Sequence, residues 1–418
     1  MTAFEAYLDM YLLTGNVTYL NAVNGAWEMF RDSYLHVGGS MAINEGSNGT
    51  NTSSGLWYPP KSYYLEGDGG DGFQKNNSKI HQTGETCGSV FWIKLNQRYH
   101  YIYPNDVRYV MEIERSLLNI GIANQSPKVN ASIAGVRSFA FLHGHKNFLQ
   151  HNTTCCEGQG TRLHGSLPEY LYSLMVNGAG ISVDIYMDSI IQFEIVEGKG
   201  QSIDVSLKTN STFPIYYQEP ENNDEAETPL NNELNNPLTS IEIVQGSGVF
   251  SVRLRIPFWV SNNNDNKEVL IGLNGNSSYL SGEIGSYVDI HREWSTGDVL
   301  TLDMSMALKS EMYVGINQIE GTKRYAVLYG PTLLVARNTT VKGWNDALHC
   351  VVLGSSLQLN GMLPEEWLIQ VNPLNLKKED GVSMKFVPRK ESGIVGVEFV
   401  PYYDVNDEWF TTYPCIVD

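Results

Sequence analysis

The chain has 418 residues, 42% of them hydrophobic, which is enough to bury sizeable cores in about two or three domains. The net charge of −18 disfavours nucleic acid as a partner, because a polyanion is repelled by such a surface. No apolar run is long enough for a transmembrane helix, so we expect no membrane partner. The five cysteines are sparse and odd in number, which argues against a disulfide framework.

The first part of the chain, to about residue 180, carries apolar residues at helical spacing. This spacing predicts helices at 3–13, 19–34, about 88–99, 106–121 and 160–177. Thr14-Gly15 separates the first two, which form a hairpin, and Pro168 interrupts the last one near its first turns. Residues 38–84 are rich in Gly, Asn, Ser and Tyr without periodicity, so they predict a long loop, of a length that is often functional.

From Gly180 the hydrophobic period changes from about 3.6 to about 2, which predicts antiparallel strands. The alternating segments are 181–185, 203–207, 249–255 and 299–303, and a second β segment starts near 325–328. The acidic, Asn- and Pro-rich stretch 217–237 predicts a disordered insertion between strands. The predicted fold class is therefore α+β and multidomain, with a helical domain at 1–180, a β-sandwich at 181–310 and a β-rich domain at 311–418.

Two short motifs carry side chains with metal-binding chemistry, namely Glu85-Thr86-Cys87 and the adjacent pair Cys155-Cys156. Glu85 and Cys87 are two residues apart, so they share one face if the segment is extended. Adjacent cysteines do not readily pair with each other, because a vicinal disulfide ring is strained. One carboxylate and three thiolates suit tetrahedral zinc. The spacing matches no zinc finger, however, and on spacing alone buried hydrophobic roles for Cys87 and Cys155 are the simpler alternative.

A thiolate beside zinc can also act as a nucleophile, because zinc lowers the pKa of a thiol. A covalent mechanism then needs a second group that protonates the leaving group, and a carboxyl is the usual choice. Glu45, in the loop after Gly38-Gly39, is a candidate for this second role.

Longer stretches of the sequence resemble glycoside hydrolase family 127 and its relatives, the β-L-arabinofuranosidases. In the helical part these are HVGGSMAINEG (36–46), TGETCGSVFWIK (83–94), YVMEIERSLLNIGIA (109–123) and CCEGQGTRLHGSLPEYLYS (155–173). In the β part they are VRLRIPFWV (252–260), IGLNGNS (271–277), GSYVDIHREWSTGDVLTLDM (285–304) and RYAVLYGPTLLVA (324–336). The resemblance covers nearly the whole chain in the order of the family, and the two cysteine motifs together are specific.

The resemblance implies a zinc ion held by Glu85, Cys87, Cys155 and Cys156. It also implies that Cys155, the first cysteine of the pair, is the nucleophile. In the family this cysteine attacks the anomeric carbon to form a thioglycosyl intermediate, which water resolves with retention of configuration.

The resemblance also points to two further carboxylates. The acid/base glutamate of the family follows a double glycine, which corresponds to Glu45 here, with Glu66 as the alternative. A glutamate that binds sugar hydroxyls belongs to an E-R-x-L-x-N helix and corresponds to Glu114. A family strand with a substrate-binding tyrosine corresponds to residues 138–143, which contain no tyrosine, so the identity of the substrate stays open.

The family places an (α/α)₆ barrel before its β-sandwich domains, and residues 1–180 predict fewer helices than that barrel needs. The chain is therefore expected to carry a partial barrel, the C-terminal half, followed by β-sandwich domains. Helices that would face the other half are expected to expose apolar stripes.

We therefore predict a retaining glycoside hydrolase that releases β-L-arabinofuranosyl or related residues from a carbohydrate substrate. The alternative is a non-catalytic carbohydrate-binding or structural remnant of the family with a structural zinc. The first residues lack the basic segment and cleavage site of a signal peptide, so location in the cytoplasm and secretion from a longer precursor both stay open. The oligomeric state is not predicted.

Overall fold

The computed structural model describes residues 2–33, 35, 37–39, 83–125, 139–141, 143–145, 155–197, 201–211, 238–261, 268–313, 320–337, 344–345, 350–355, 359, 361–371, 376, 382–405 and 409–417. Most of the predicted loop at 38–84 and the whole predicted insertion at 217–237 lie outside these residues. The helices are α1 (Thr2–Thr14), α2 (Val17–Ser33), α3 (Thr86–Ile102), α4 (Val107–Ser116), α5 (Cys155–Gly165), α6 (Pro168–Leu171) and α7 (Pro364–Trp367). A π-helix, Leu117–Gly121, continues α4 directly.

The predicted hairpin of two helices is confirmed, and its connection follows from local chemistry. Gly15 ends α1 with a left-handed φ of +69°, which glycine adopts without a Cβ clash. The side-chain oxygen of Asn16 then accepts a hydrogen bond from the backbone N–H of Thr18 at 3.0 Å, as an N-cap residue does.

The prediction of one helix over 160–177 is wrong. The helix that carries Cys155 ends at Gly165, the short α6 follows, and the chain then becomes extended at Tyr172. Pro168 stands in the first turn of α6, where its missing N–H costs no helical hydrogen bond. The apolar residues after it belong to a strand.

Four sheets account for the strands of the described residues. The strands are β1 (Thr83–Glu85), β2 (Phe139–Phe141), β3 (His143–His145), β4 (Tyr172–Leu174), β5 (Gly180–Val183), β6 (Ser189–Glu197), β7 (Gln201–Ser211), β8 (Leu238–Gln245), β9 (Gly248–Ile256), β10 (Glu268–Leu273), β11 (Asn276–Glu283), β12 (Ser286–Trp294), β13 (Val299–Asp303), β14 (Leu308–Met312), β15 (Thr322–Tyr329), β16 (Thr332–Arg337), β17 (Trp344–Asn345), β18 (Cys350–Ser355), β19 (Leu368–Gln370), β20 (Phe386–Pro388), β21 (Glu398–Pro401), β22 (Trp409–Thr411) and β23 (Cys415–Val417). Each segment for which period-2 alternation predicts a strand lies in or overlaps one of them.

Contacts between residues divide the chain into two compact units. The first unit comprises 1–98, 115–164 and 308–418, and the second comprises 99–114 and 165–307. These units do not test the predicted division at residues 180 and 310, which stays a prediction.

The second unit contains two sheets, with strand orders β11-β10-β13-β8-β7-β6 and β12-β9-β5-β4. Phe193 of the first sheet meets Phe250 of the second edge to face, with 6.4 Å between ring centroids. The hydroxyls of Tyr172 and Thr209 also join the two sheets at 2.7 Å. Apolar residues that alternate along each strand therefore fill a layer between two sheets, as in a sandwich.

The first unit contains the two-stranded sheet β1-β2 and an 11-stranded sheet. The larger sheet follows the order β17-β18-β23-β15-β16-β21-β20-β19, with β14, β22 and β3 joined beside it. Its hydrophobic core includes Ile120 and Ala123, so the π-helix and the residues after it pack directly on this sheet. Cys415 of β23 is disulfide-bonded, so the sparse cysteines include at least one bridge.

The helical hairpin of α1 and α2 carries apolar side chains that solvent reaches. They include Tyr7, Met10, Leu12, Leu13, Val17 and Met29. Exposed apolar residues were expected on helices of a partial barrel. In the part of the chain that the structure describes, no helix has the length and apolar character that a membrane crossing requires.

Candidate active site and metal centre

The two cysteine motifs each begin a helix of the first unit. Strand β1 ends at Glu85, α3 begins at Thr86, and Cys87 is therefore in the first turn of a helix. The condition that Glu85 and Cys87 lie in one extended segment is not met, because the helix begins between them. Cys155 and Cys156 are the first two residues of α5, so both motifs stand at helix N-termini.

The structure brings the three motif cysteines together, as the sequence predicted. The sulfur of Cys87 lies 3.2 Å from that of Cys156 and 3.5 Å from that of Cys155, and all three lie within 4.8 Å of one another. Cys87 and Cys156 are buried, with 5% and 1% exposure, whereas Cys155 is exposed. The alternative of small buried hydrophobic roles for Cys87 and Cys155 fits the burial of Cys87 but not the exposure of Cys155.

The geometry of the three sulfurs fits a soft divalent cation. With sulfur at about 2.3 Å from zinc, a tetrahedral site separates its sulfurs by about 3.8 Å. The observed distances of 3.2 and 3.5 Å are a few tenths shorter, and both greatly exceed the length of a disulfide bond. A small outward movement therefore gives three ligands of one ion, and thiolate is the ligand type that zinc prefers.

Two helix N-termini converge on the cluster. The N-terminal end of a helix carries a partial positive charge from its unpaired backbone N–H groups, which stabilises a nearby anion. Cys87 lies in the first turn of α3 and the cysteine pair lies in the first turn of α5. The fold itself therefore favours negative charge on these sulfurs, which both a metal ligand and a nucleophile require.

The double glycine before Glu45 is tightly packed in the same unit. Gly39 has a φ of +78°, and a Cβ there would lie 2.7 Å from the backbone nitrogen of Ser116. The Ser116 hydroxyl donates a hydrogen bond to the carbonyl of Gly39, and the Arg115 guanidinium donates to the carbonyl of Val37 at 2.6 Å. Val37 and Gly39, which precede Glu45 in the chain, are thus held by hydrogen bonds to Arg115 and Ser116.

Three predicted carboxylates are less fully described. Glu45 and its alternative Glu66 lie outside the described residues. Glu85 is described as the last residue of β1, paired with Phe139 of β2, and its side chain is outside the description. Their roles stay predictions.

Glu114 belongs to the second unit and is 1% exposed. Its carboxylate forms an ion pair with Arg255 and accepts a hydrogen bond from the indole N–H of Trp259 at 2.8 Å. Arg255 is itself fully buried, and its backbone carbonyl accepts a hydrogen bond from Tyr186 at 2.6 Å. Sequence reasoning missed Arg255, since the ion pair joins residues 141 positions apart and no local pattern marks it. The predicted contact of Glu114 with sugar hydroxyls stays a prediction.

The structure thus defines a protein with helices, a β-sandwich and a further large sheet, in which two helix N-termini bring three sulfurs together. Two sequence models of one family match it: "Beta-L-arabinofuranosidase, GH127 catalytic domain" at residues 3–169 and "Beta-L-arabinofuranosidase, GH127 middle domain" at residues 223–306. Together they match more than half of the chain. The chain belongs to glycoside hydrolase family 127.

Solved structures share the fold of this chain. A GH127 β-arabinofuranosidase is 18% identical with a TM-score of 0.66, and covers 99% of this chain with 59% of its own length. A GH127 β-L-arabinofuranosidase from Geobacillus stearothermophilus T6 is 16% identical with a TM-score of 0.60, over 98% of this chain and 59% of its own. A protein described as a glycoside hydrolase is 15% identical with a TM-score of 0.62, and the match covers 99% of this chain and 65% of that protein.

The chain therefore spans about three fifths of the length of the solved structures that it matches. The comparison with curated protein sequences gave no match.

Proposed function

We propose that this protein is a retaining glycoside hydrolase that releases β-L-arabinofuranosyl or related sugar residues. The observation that carries the proposal is the cluster of three sulfurs, in which two are buried and Cys155 alone is exposed. A cluster that served only to hold a metal would not need one ligand open to solvent. The family to which the chain belongs supports the same reading.

The proposed reaction has two steps, both carried by side chains of this chain. In the first, the Cys155 sulfur forms a bond to the anomeric carbon while the bond to the leaving oxygen breaks, and Glu45 gives that oxygen a proton. In the second, Glu45 takes a proton from water, whose oxygen replaces sulfur at the anomeric carbon. Two inversions give net retention.

Zinc is the proposed cofactor, with Glu85, Cys87, Cys155 and Cys156 as its ligands. When bound, it would keep the thiolates ionised at neutral pH and hold them in a fixed arrangement. Cys87 and Cys156, being buried, would remain ligands throughout, while the exposed Cys155 is the ligand that reacts. The role of Glu114 at sugar hydroxyls stays a prediction, since its carboxylate is 1% exposed and bound by Arg255 and Trp259.

We also infer that the helices of residues 1–180 form part of an (α/α)₆ barrel. This inference rests on the family and on the apolar side chains that α1 and α2 expose. The second candidate function is a non-catalytic, carbohydrate-binding or structural member of the family in which zinc is structural.

The test is hydrolysis of a chromogenic aryl β-L-arabinofuranoside by the chain and by its Cys155→Ser variant. We expect the variant to lose activity by about 10³-fold or more, because a serine hydroxyl is a poor nucleophile at neutral pH. Thr161→Ala, which alters an exposed residue of the same helix, is the control and should retain activity.

The outcomes separate the two functions. Full activity in Cys155→Ser would contradict the proposed nucleophile. Binding of the glycoside by the unaltered chain without hydrolysis, measured by calorimetry, would favour the carbohydrate-binding remnant instead.

A further inference from the structure

We propose that Asn124 is a positioning residue of the metal centre, which holds the start of α3 and with it Cys87. The Asn124 side-chain amide donates a hydrogen bond to the hydroxyl of Thr86 at 2.8 Å. Both residues are buried, with exposures of 0% and 2%. Thr86 is the first residue of α3 and precedes Cys87 directly, so the bond acts on the helix turn that carries this sulfur. The inference rests on the proposed zinc site.

Asn124 is itself held by a rigid part of the first unit. Its backbone N–H donates to the carbonyl of Ile120 in the π-helix at 3.0 Å. The π-helix is fastened through Asn119, whose side-chain amide donates to the carbonyl of Pro331 at 2.9 Å and whose oxygen accepts from the N–H of Leu333 at 2.7 Å. The position of Asn124 is therefore fixed by the turn and strand of the β15–β16 hairpin.

The same segment also contacts the helix that carries the other two sulfurs. A Cβ at Gly121 would lie 2.8 Å from a methyl carbon of Leu163, which is fully buried in α5. The segment from the π-helix to Asn124 thus touches both cysteine-bearing helices, one by a hydrogen bond and the other by close packing. π-helices occur frequently at functional sites.

The chemistry of Asn124 argues for a directional role. Its side-chain oxygen is buried and has no hydrogen-bond partner within the part of the chain that the structure describes. Burial of an unsatisfied acceptor is unfavourable, so packing alone would favour an apolar residue at this position. The amide N–H that reaches Thr86 is the group that an apolar residue lacks.

The test measures zinc affinity of the whole chain by competition with a chromophoric chelator. Asn124→Leu and Thr86→Val each remove the hydrogen bond, from opposite ends, and we expect each to weaken zinc binding about tenfold to a hundredfold. The double variant should bind zinc no more weakly than either single variant, since both remove the same bond. Thr86→Ser keeps the hydroxyl, so this variant should bind zinc with the affinity of the unaltered chain.

Cobalt substitution supplies a second readout, because the intensity of the thiolate-to-metal absorption reports how many sulfurs bind. Circular dichroism establishes that each variant is folded. Unchanged affinity in folded Asn124→Leu and Thr86→Val proteins would overturn the role of Asn124 and leave the metal site intact. If both variants failed to fold, the Asn124–Thr86 bond would serve the stability of the fold, and its proposed role at the metal centre would also be overturned. Failure of the unaltered chain to bind zinc would instead contradict the proposed function.

Discussion

The carboxylate of Asp184 is fully buried in the second unit and is surrounded by donors. It accepts hydrogen bonds from Ser173, from Ser182 at 2.7 Å and from Tyr287 at 3.0 Å, and it lies 3.2 Å from the ring of His100. Burial alone would raise the pKa of Asp184, but the hydrogen bond and charge of His100 and the two serine hydroxyls outweigh it and lower this pKa. The ionised form is therefore the one that the fold stabilises.

Asp184→Asn should destabilise the protein by about 2–4 kcal/mol near pH 7, because the amide meets donors that need an acceptor. A carboxyl with a depressed pKa in the folded state stabilises it above its unfolded pKa of about 3.9, and that stability is lost as the pH falls through the folded value. The difference between the two proteins should therefore shrink below about pH 4. Urea denaturation at several pH values measures it.

The charge-matched control is Asp303→Asn, at an exposed position of β13. We expect this variant to change the free energy of unfolding by less than about 0.5 kcal/mol. A difference between Asp184→Asn and the unaltered chain that stayed constant from pH 7 to pH 3 would contradict the assignment of the buried charge.

At the scale of an element, the turn at Gly38-Gly39 depends on the absence of a side chain. Gly39→Ala adds a Cβ against the backbone of Ser116, which has no freedom to withdraw, in a left-handed conformation. We expect the free energy of unfolding to fall by about 3 kcal/mol. We also expect hydrolytic activity to fall, because Glu45 follows this turn in the chain.

Gly15→Ala is the matched control, since Gly15 has nearly the same φ, +69° against +78°, and a Cβ added there would meet nothing within 4 Å. Gly15→Ala should lower the free energy of unfolding only by the cost of the left-handed conformation, about 1–2 kcal/mol. Thermal unfolding of both variants compares the two. Equal losses would show that the contact with Ser116 contributes nothing.

Local pattern predicted some elements and not others, for physical reasons. The helical hairpin at the start of the chain and the strands beyond Gly180 follow from periodicity. The π-helix lies within the single helix that periodicity predicts at 106–121, and no local pattern marks the change after Ser116. The Asn124–Thr86 bond joins residues 38 positions apart and left no trace in the sequence. The sulfur cluster was predictable from the resemblance to the family, whereas spacing alone favoured buried hydrophobic roles for Cys87 and Cys155.

At the scale of the whole molecule, a metal that binds only the folded chain raises its stability by mass action. At a zinc concentration about a hundred times its Kd, we expect a gain of about 2.7 kcal/mol in the free energy of unfolding. A chelator should remove this gain. Thermal unfolding with and without zinc measures the effect.

Two controls make the measurement specific. Cys87→Ala removes one buried ligand and should abolish most of the response to zinc. Calcium, which prefers oxygen ligands, should give no comparable shift. An equal response of Cys87→Ala and the unaltered chain would place the binding of zinc elsewhere.

The unequal exposure of the three sulfurs gives the cluster a single open side. Cys87 and Cys156 are covered by protein, so an electrophile of any kind meets Cys155 first. In the proposed reaction, a glycan would therefore reach the cluster from the side of Cys155.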